Sequence, residues 1–356
     1  MLKTKLAIAI ALVAALSLLL APAAYAQTGT TTGSFGASPQ PPTVDDIEIF
    51  SDAGLSNAVS LLNPMSPGST FYARVTVTSL SKLKNLDFVK VNLFYNISDN
   101  VDMPAPADPA GADTQVCAIL TCTVNAPNGP PTWAMFPTGA GTTWSILGGP
   151  SSYQPGNLNA TTGDWVFAFI PGKVAHQADN TTAPGPDTWD AQGKAINKQA
   201  SEGTKYVRTK GMNCYTEITV HTPGVNWGAV PLGLTFSDEA NSRETGIIVN
   251  YLANGDYEES IASENWTGTT DNVTLDATGG NPPSAAGMFA LMANDTTDNT
   301  TSEIVKFAYT AIDSTGAITP EVGDNVTANT LWLSLSTTGI FPETYSGAIY
   351  YQISCR

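Results

Sequence analysis

Basic side chains are scarce in this chain: it has two His, and 15 Lys plus Arg against 31 Asp plus Glu, for a formal charge of −16 at pH 7. A polymer so acidic repels phosphate backbones and anionic lipid headgroups, which excludes nucleic acid as a partner. The two histidines, His176 and His221, stand alone, with no second residue at metal-ligand spacing. No G-x-S-x-G, H-E-x-x-H or Gly-rich phosphate loop occurs. No catalytic residue, cofactor or metal ligand is therefore expected, and the chain reads as a non-enzyme. Cysteine is sparse too, at four residues. After the N-terminal region no apolar run is long enough to span a bilayer, and no cysteine stands ready for lipidation, so no stable membrane anchor is expected.

At the start of the chain, Lys3 and Lys5 precede an apolar run from Leu6 to Ala21, and Ala24-Tyr25-Ala26 follows it. That order is the signature of a cleaved secretion signal over residues 1–26, predicting a secreted, extracellular protein. Removing it takes away two lysines and no acid, deepening the formal charge from −16 to −18. Residues 27–43 are small, polar and Pro-ended, the composition of a flexible arm. The arm is either a spacer or a strand donated to a neighbouring copy.

Beyond the arm a period of two dominates, the mark of strands with one face on a core. Phe71, Ala73, Val75 and Val77 alternate with polar residues, as do Val89, Val91, Leu93 and Tyr95. Residues Trp165 to Ile170 form a continuous apolar run, suited to a strand covered on both faces. Thr188–Ala195 and Tyr215–Val220 bring the first set to about seven strands, and the turn His221-Thr-Pro-Gly224 closes it. A second set follows, from Ile247–Tyr251 through the Asn254-Gly255 hairpin signal to two long terminal strands, Leu331–Leu335 and Tyr345–Ile353. The expected fold is all-β: two tandem immunoglobulin-like β-sandwich domains, residues 44–221 and 222–356.

In an exported chain cysteines default to disulfides, so Cys117, Cys122, Cys214 and Cys355 are all candidates. Cys117 and Cys122 are expected to close a local clasp or to link their loop elsewhere. Cys214 and Cys355 are expected at opposite poles of an extended molecule, able to meet only between stacked copies; a compact fold with internal bonds is the alternative. Eight N-x-S/T sequons, at Asn96, Asn159, Asn180, Asn265, Asn272, Asn294, Asn299 and Asn325, make the chain a candidate glycoprotein. Loop acids Asp99, Asp102, Asp108 and Asp113, and Asp295 with Asp298, read as solvated in preference to Ca²⁺ ligands. Three uncharged, Pro-free segments, Ile247–Leu252, Thr330–Ser336 and Ala348–Ser354, have the composition of strands that pair edge to edge.

Several of these segments carry a resemblance. Trp165-Val-Phe-Ala-Phe-Ile-Pro-Gly-Lys-Val-Ala175, Thr188-Trp-Asp190, Val225-Asn-Trp-Gly228, Val249-Asn-Tyr-Leu-Ala-Asn-Gly255 and Tyr345-Ser-Gly-Ala-Ile-Tyr-Tyr351 resemble stretches of exported two-domain β-sandwich surface proteins of methanogenic archaea. Within that group the chain is most similar to the tubular sheath proteins of filamentous methanogens. The resemblance implies a self-assembling, amyloid-like structural subunit of an extracellular sheath or surface layer, with itself as partner and no catalytic residues. A secreted adhesin or carbohydrate-binding module, with surface glycan as partner, uses the same sandwiches and is the alternative; an extracellular hydrolase is a third class, disfavoured by the missing motifs.

Overall fold

The computed structural model describes residues 40–97, 115–136, 144–178, 187–222, 224–295, 302–316 and 325–355. The signal segment, most of the arm, Asp99, Asp102, Asp108, Asp113, Asp298, Asn180 and Asn299 lie outside them. The chain is nearly all β, in line with its period-two patterning. In the first half the strands are β1 (Thr43–Phe50), β2 (Phe71–Thr78), β3 (Leu86–Asn96), β4 (Cys117–Thr123), β5 (Thr132–Phe136), β6 (Ser145–Leu147), β7 (Thr162–Ile170), β8 (Thr188–Asn197) and β9 (Glu202–Lys210). They form two facing sheets, β1-β2-β7-β6 and β5-β4-β3-β8-β9. That is the strand order of a variable-type immunoglobulin domain.

The alternation read from the sequence is the packing. Phe71, Ala73, Val75 and Val77 of β2 are buried and face Val89, Val91 and Leu93 of β3 across one continuous core. Trp165 and Trp189 fill it without exposure, and Trp144 lies between Trp189 and Phe169, stacked on the Phe169 ring and tilted to the Trp189 ring. Strand β7 is buried on both faces, and the segment after β6 continues the pairing along its edge. The Tyr153 N–H donates to the Val166 carbonyl, and the Ala168 N–H donates to Ser152 Oγ at 2.8 Å.

The second half holds β10 (Thr216–Val220), β11 (Arg243–Ala253), β12 (Tyr257–Ser263), β13 (Trp266–Thr267), β14 (Asn272–Leu275), β15 (Met288–Asn294), β16 (Glu303–Ile304), β17 (Thr310–Gly316), β18 (Asn325–Leu335) and β19 (Ile349–Cys355). The larger sheet runs β10-β11-β18-β15-β14-β13 with β16 beside β15, and the smaller runs β17-β12-β19. Two expectations change here. Strand β10, read as the last strand of the first domain, pairs with β11 from Thr216↔Ala253 to Val220↔Val249, so it opens the second sandwich and the junction falls near residues 211–215. Asn254-Gly255 is also no hairpin: β11 and β12 lie in opposite sheets, so the turn carries the chain across the core.

Candidate functional site

The junction between the sandwiches is built on one amide. Asn254 is fully buried. Its Nδ2 donates to the carbonyls of Ala175 (2.7 Å) and Asn213 (2.9 Å), and its Oδ1 accepts the Tyr215 N–H at 2.6 Å. The Gln177 N–H donates to the Asn254 carbonyl at 2.8 Å. Both halves thus share one fully satisfied polar centre. A Cβ on Gly255 would sit 2.2 Å from Gln177 Oε1, so glycine permits this close approach. At the rim Lys173 Nζ meets Glu217 Oε2 at 2.6 Å and lies over the Tyr215 ring. This ion pair holds the Glu217 carboxyl below its usual range and the Lys173 ammonium above its own.

Beside this centre Cys214 and Cys355 are bonded to each other within the chain, with Cα atoms 6.2 Å apart. The expectation of opposite poles is overturned, because the geometry behind it put Cys214 at the outer end of the first domain. Cys214 precedes β10 at the junction, and β19 runs back toward that junction, bringing Cys355 to it. The local clasp is overturned as well. Cys117 and Cys122 are buried thiols on the single strand β4. Five residues of extended chain separate their Cα atoms by roughly 16 Å, beyond the roughly 7 Å a disulfide spans. Burial in the first core pushes the Cys122 thiol up to about 12.

The sequons divide by burial. Asn96 is fully buried, its Nδ2 donating to Asp190 Oδ2 at 2.8 Å, and Asn294 is fully buried too. A glycan at either is incompatible with this packing, so both are withdrawn as candidates. Asn159, Asn265 and Asn272 are exposed. Asn265 precedes β13 and Asn272 opens β14, in the hairpin at the outer edge of the larger sheet. Asn325 begins β18. His176 packs on the Tyr95 ring and His221 reaches Asn250. Among the described residues no three His, Cys, Asp or Glu side chains converge as metal ligands, and no helix is long and apolar enough to cross a membrane.

Of the three segments read as edge-pairing, two are interior. Strand β18 is flanked by β11 and β15, and β11 by β10 and β18. Both are flanked by paired strands; the β18 segment is buried throughout, whereas β11 alternates and leaves Ile248 exposed. Strand β19 alone of the three is at an edge, paired among the described residues only with β12. Glu264 pins its start, accepting the Ala348 N–H and the Tyr350 hydroxyl at 2.9 Å each. Those donors hold the Glu264 carboxyl below its usual range. Sequence reasoning missed Asn254 and Glu264, since nothing local distinguishes a turn asparagine or a surface glutamate that anchors a distant strand.

No family model matches the chain, and no curated protein matches it. Solved structures do match, among them one described as a chaperone–tip adhesin complex in CFA/I fimbriae biogenesis. It is 10% identical, covers 74% of this chain and 84% of its own, and has a TM-score of 0.23. An overlap so slight has no bearing on function.

Proposed function

We propose that this chain is an extracellular structural subunit that assembles with copies of itself into a sheath or surface layer. The observation that carries the reading is the β19 edge, a seven-residue strand without a charge or proline, on an otherwise acidic protein. An open edge of that composition is a template for pairing with another chain. The resemblance to sheath proteins of filamentous methanogens points the same way, as does the secretion signal read at residues 1–26. Assembly then proceeds without intermolecular disulfides at Cys214 or Cys355, since each is satisfied within its own chain. Negative-stain microscopy of purified residues 27–356 tests this: regular tubes, rings or filaments are expected, and monodisperse monomers at all concentrations overturn it.

A second reading, a glycan-binding adhesin, rests on two half-exposed aromatics. Tyr309, just before β17, and Tyr350 of β19 stand on either side of β12 on the smaller sheet. Planar rings on a sheet face suit stacking against sugars. A glycan array with Tyr309→Ala and Tyr350→Ala alongside the native protein separates this reading from the first.

A further inference from the structure

The second sandwich is closed along one side by the meeting of β10 and β19, and that closure is incomplete. The two strands lie alongside each other, yet they belong to different sheets with no backbone ladder between them. At the junction end the seam is sealed by the Cys214–Cys355 bond and by Tyr251, Ala253, Tyr257 and Ile353, with Ile218 packed on them. Away from the junction the inward-facing side chains lose their cover. On β19, Ile353 is 8% exposed, whereas Tyr351 and Ile349 are half-buried. On β10, Ile218 is half-buried, and Val220, opposite core residue Val249 and so facing inward, is 42% exposed. The Tyr351 hydroxyl is buried with no hydrogen-bond partner among the described residues. A seam that is stapled at one end, open at the other and bordered by two strand edges has the form of a slot for an added strand.

The occupant is indicated by charge and by where the chain enters the fold. With a formal charge of −18 on the mature protein, contact between copies is opposed wherever acids meet. Residues 27–39 and strand β19 contain no side chain that is charged at neutral pH, and the acid on β10, Glu217, is neutralised by Lys173. Residues 28–35, Thr-Gly-Thr-Thr-Thr-Gly-Ser-Phe, contain no proline and include strand-favouring Thr and Phe. The arm joins β1 at the end of the first sandwich remote from the junction: the Gln40 carbonyl accepts from Asn197 Nδ2, and Pro42 lies against Gly203 at the start of β9. From there β9 runs its nine residues, roughly 30 Å, back to the junction. In a head-to-tail stack, that remote end of one copy meets the remote end of the next copy's second sandwich, where the seam is open. Residues 27–39 extended reach roughly 40 Å, more than the length of β19.

We infer that the β10–β19 seam is an acceptor groove for residues 27–39 of a second copy, added as a strand against the unpaired edge of β19. The inference rests on the self-assembly reading and specifies its contact. The test compares three samples by electron microscopy and hydrogen exchange: residues 27–356, the same chain lacking residues 27–39, and residues 27–356 with excess synthetic peptide 27–39. The deletion is expected to leave the monomer's melting unchanged and to cut polymer yield at least tenfold. The peptide is expected to cap growth. In polymer, the alternate β19 amides that do not bond to β12 are expected to exchange at least tenfold more slowly than in monomer. A deleted chain that polymerises like the parent, or β19 amides with unchanged exchange in polymer, overturns the acceptor groove and leaves self-assembly standing. A parent chain that never polymerises overturns both. A second variant, Gln352→Lys, places a charge on the exposed face of β19 and is expected to lower polymer yield without unfolding the monomer; unimpaired polymer from it counts against the groove.

Discussion

The two sandwiches solve the same problem differently. The first holds a single apolar core in which Trp144, Trp165 and Trp189 are packed together, and it has no disulfide. Its sides are closed by neighbouring strands of opposite sheets, β1 beside β9 and β5 beside β6. In the second, the apolar residues fall into three separate clusters. A buried polar pair, Asn329 Nδ2 donating to Glu259 Oε1 at 2.7 Å, stands between its sheets. That sandwich is the one with the covalent staple. A divided core offers less apolar burial per residue ordered, and a cross-link offsets the deficit by restricting the unfolded chain.

The largest effect expected from this contrast is on the second sandwich alone. Cys355→Ser opens a closure between residues 141 apart in sequence, a loop length for which chain entropy predicts a loss of about 5 kcal/mol. Calorimetry should show the second sandwich melting well below its native temperature while the first keeps its own. A common downward shift of one transition would show that the two melt as a single unit, and the contrast would fail.

The reverse experiment is Trp189→Ala. The indole is fully buried, its Nε1 donates to the His176 carbonyl at 2.8 Å, and its ring lies 5.6 Å from Trp144 and 6.0 Å from Tyr95. Removing it should cost about 3–5 kcal/mol, read as a lowered first transition with the second unmoved. An equal drop in both transitions would count against separate cores.

The sequence made the all-β class legible because burial in a sheet repeats every second residue, and β2, β3 and β7 show that repeat in unbroken form. What it left hidden was pairing. Thr216–Val220 reads the same whether it ends one sheet or begins the next, and only its register with β11 decides. The same limit misplaced the disulfide: Cys214 and Cys355 become neighbours through the direction of β19, a property of topology. Composition also could not separate an exposed edge from a doubly flanked strand, since β18 and β19 are both uncharged over the segments singled out, for opposite reasons. At Asn96 and Asn294 the sequon signalled a glycan while the packing signals a buried amide.

Between the two sandwiches stands Asn254, and Asn254→Ala tests how far they act together. The change strands the Ala175 and Asn213 carbonyls and the Tyr215 N–H. Leaving a buried polar group unsatisfied costs about 1–3 kcal/mol, so a total near 3 kcal/mol is expected. Because those groups belong to the junction, the loss of coupling should lower the transition of the less stable sandwich more than the other and so separate the two further. Transitions that stay equally spaced would reduce Asn254 to a local turn residue.

The smallest effect is the most specific in pH. The Lys173–Glu217 pair spans the junction rim, and both side chains are well exposed, at 35% and 48%, so screening limits it to less than about 1 kcal/mol. Its sign is fixed by the two shifts. Glu217 is held below the usual carboxylate range chiefly by the hydrogen bond from Lys173, so its contribution is present above that range and lost as pH falls through the lowered value. Lys173 is held above the usual ammonium range chiefly by the bond to Glu217, so its contribution is present below that range and lost as pH rises through the raised value. The junction is therefore tightest across the neutral window and loosens at both extremes. Glu217→Gln should flatten the dependence of transition spacing on pH at the acidic side, leaving neutral-pH melting lower by about a degree or two. High salt should mimic part of that loss in the native protein. A Glu217→Gln variant with the native acid-side slope would assign that slope to other carboxylates, with Glu264 at the start of β19 the next to substitute.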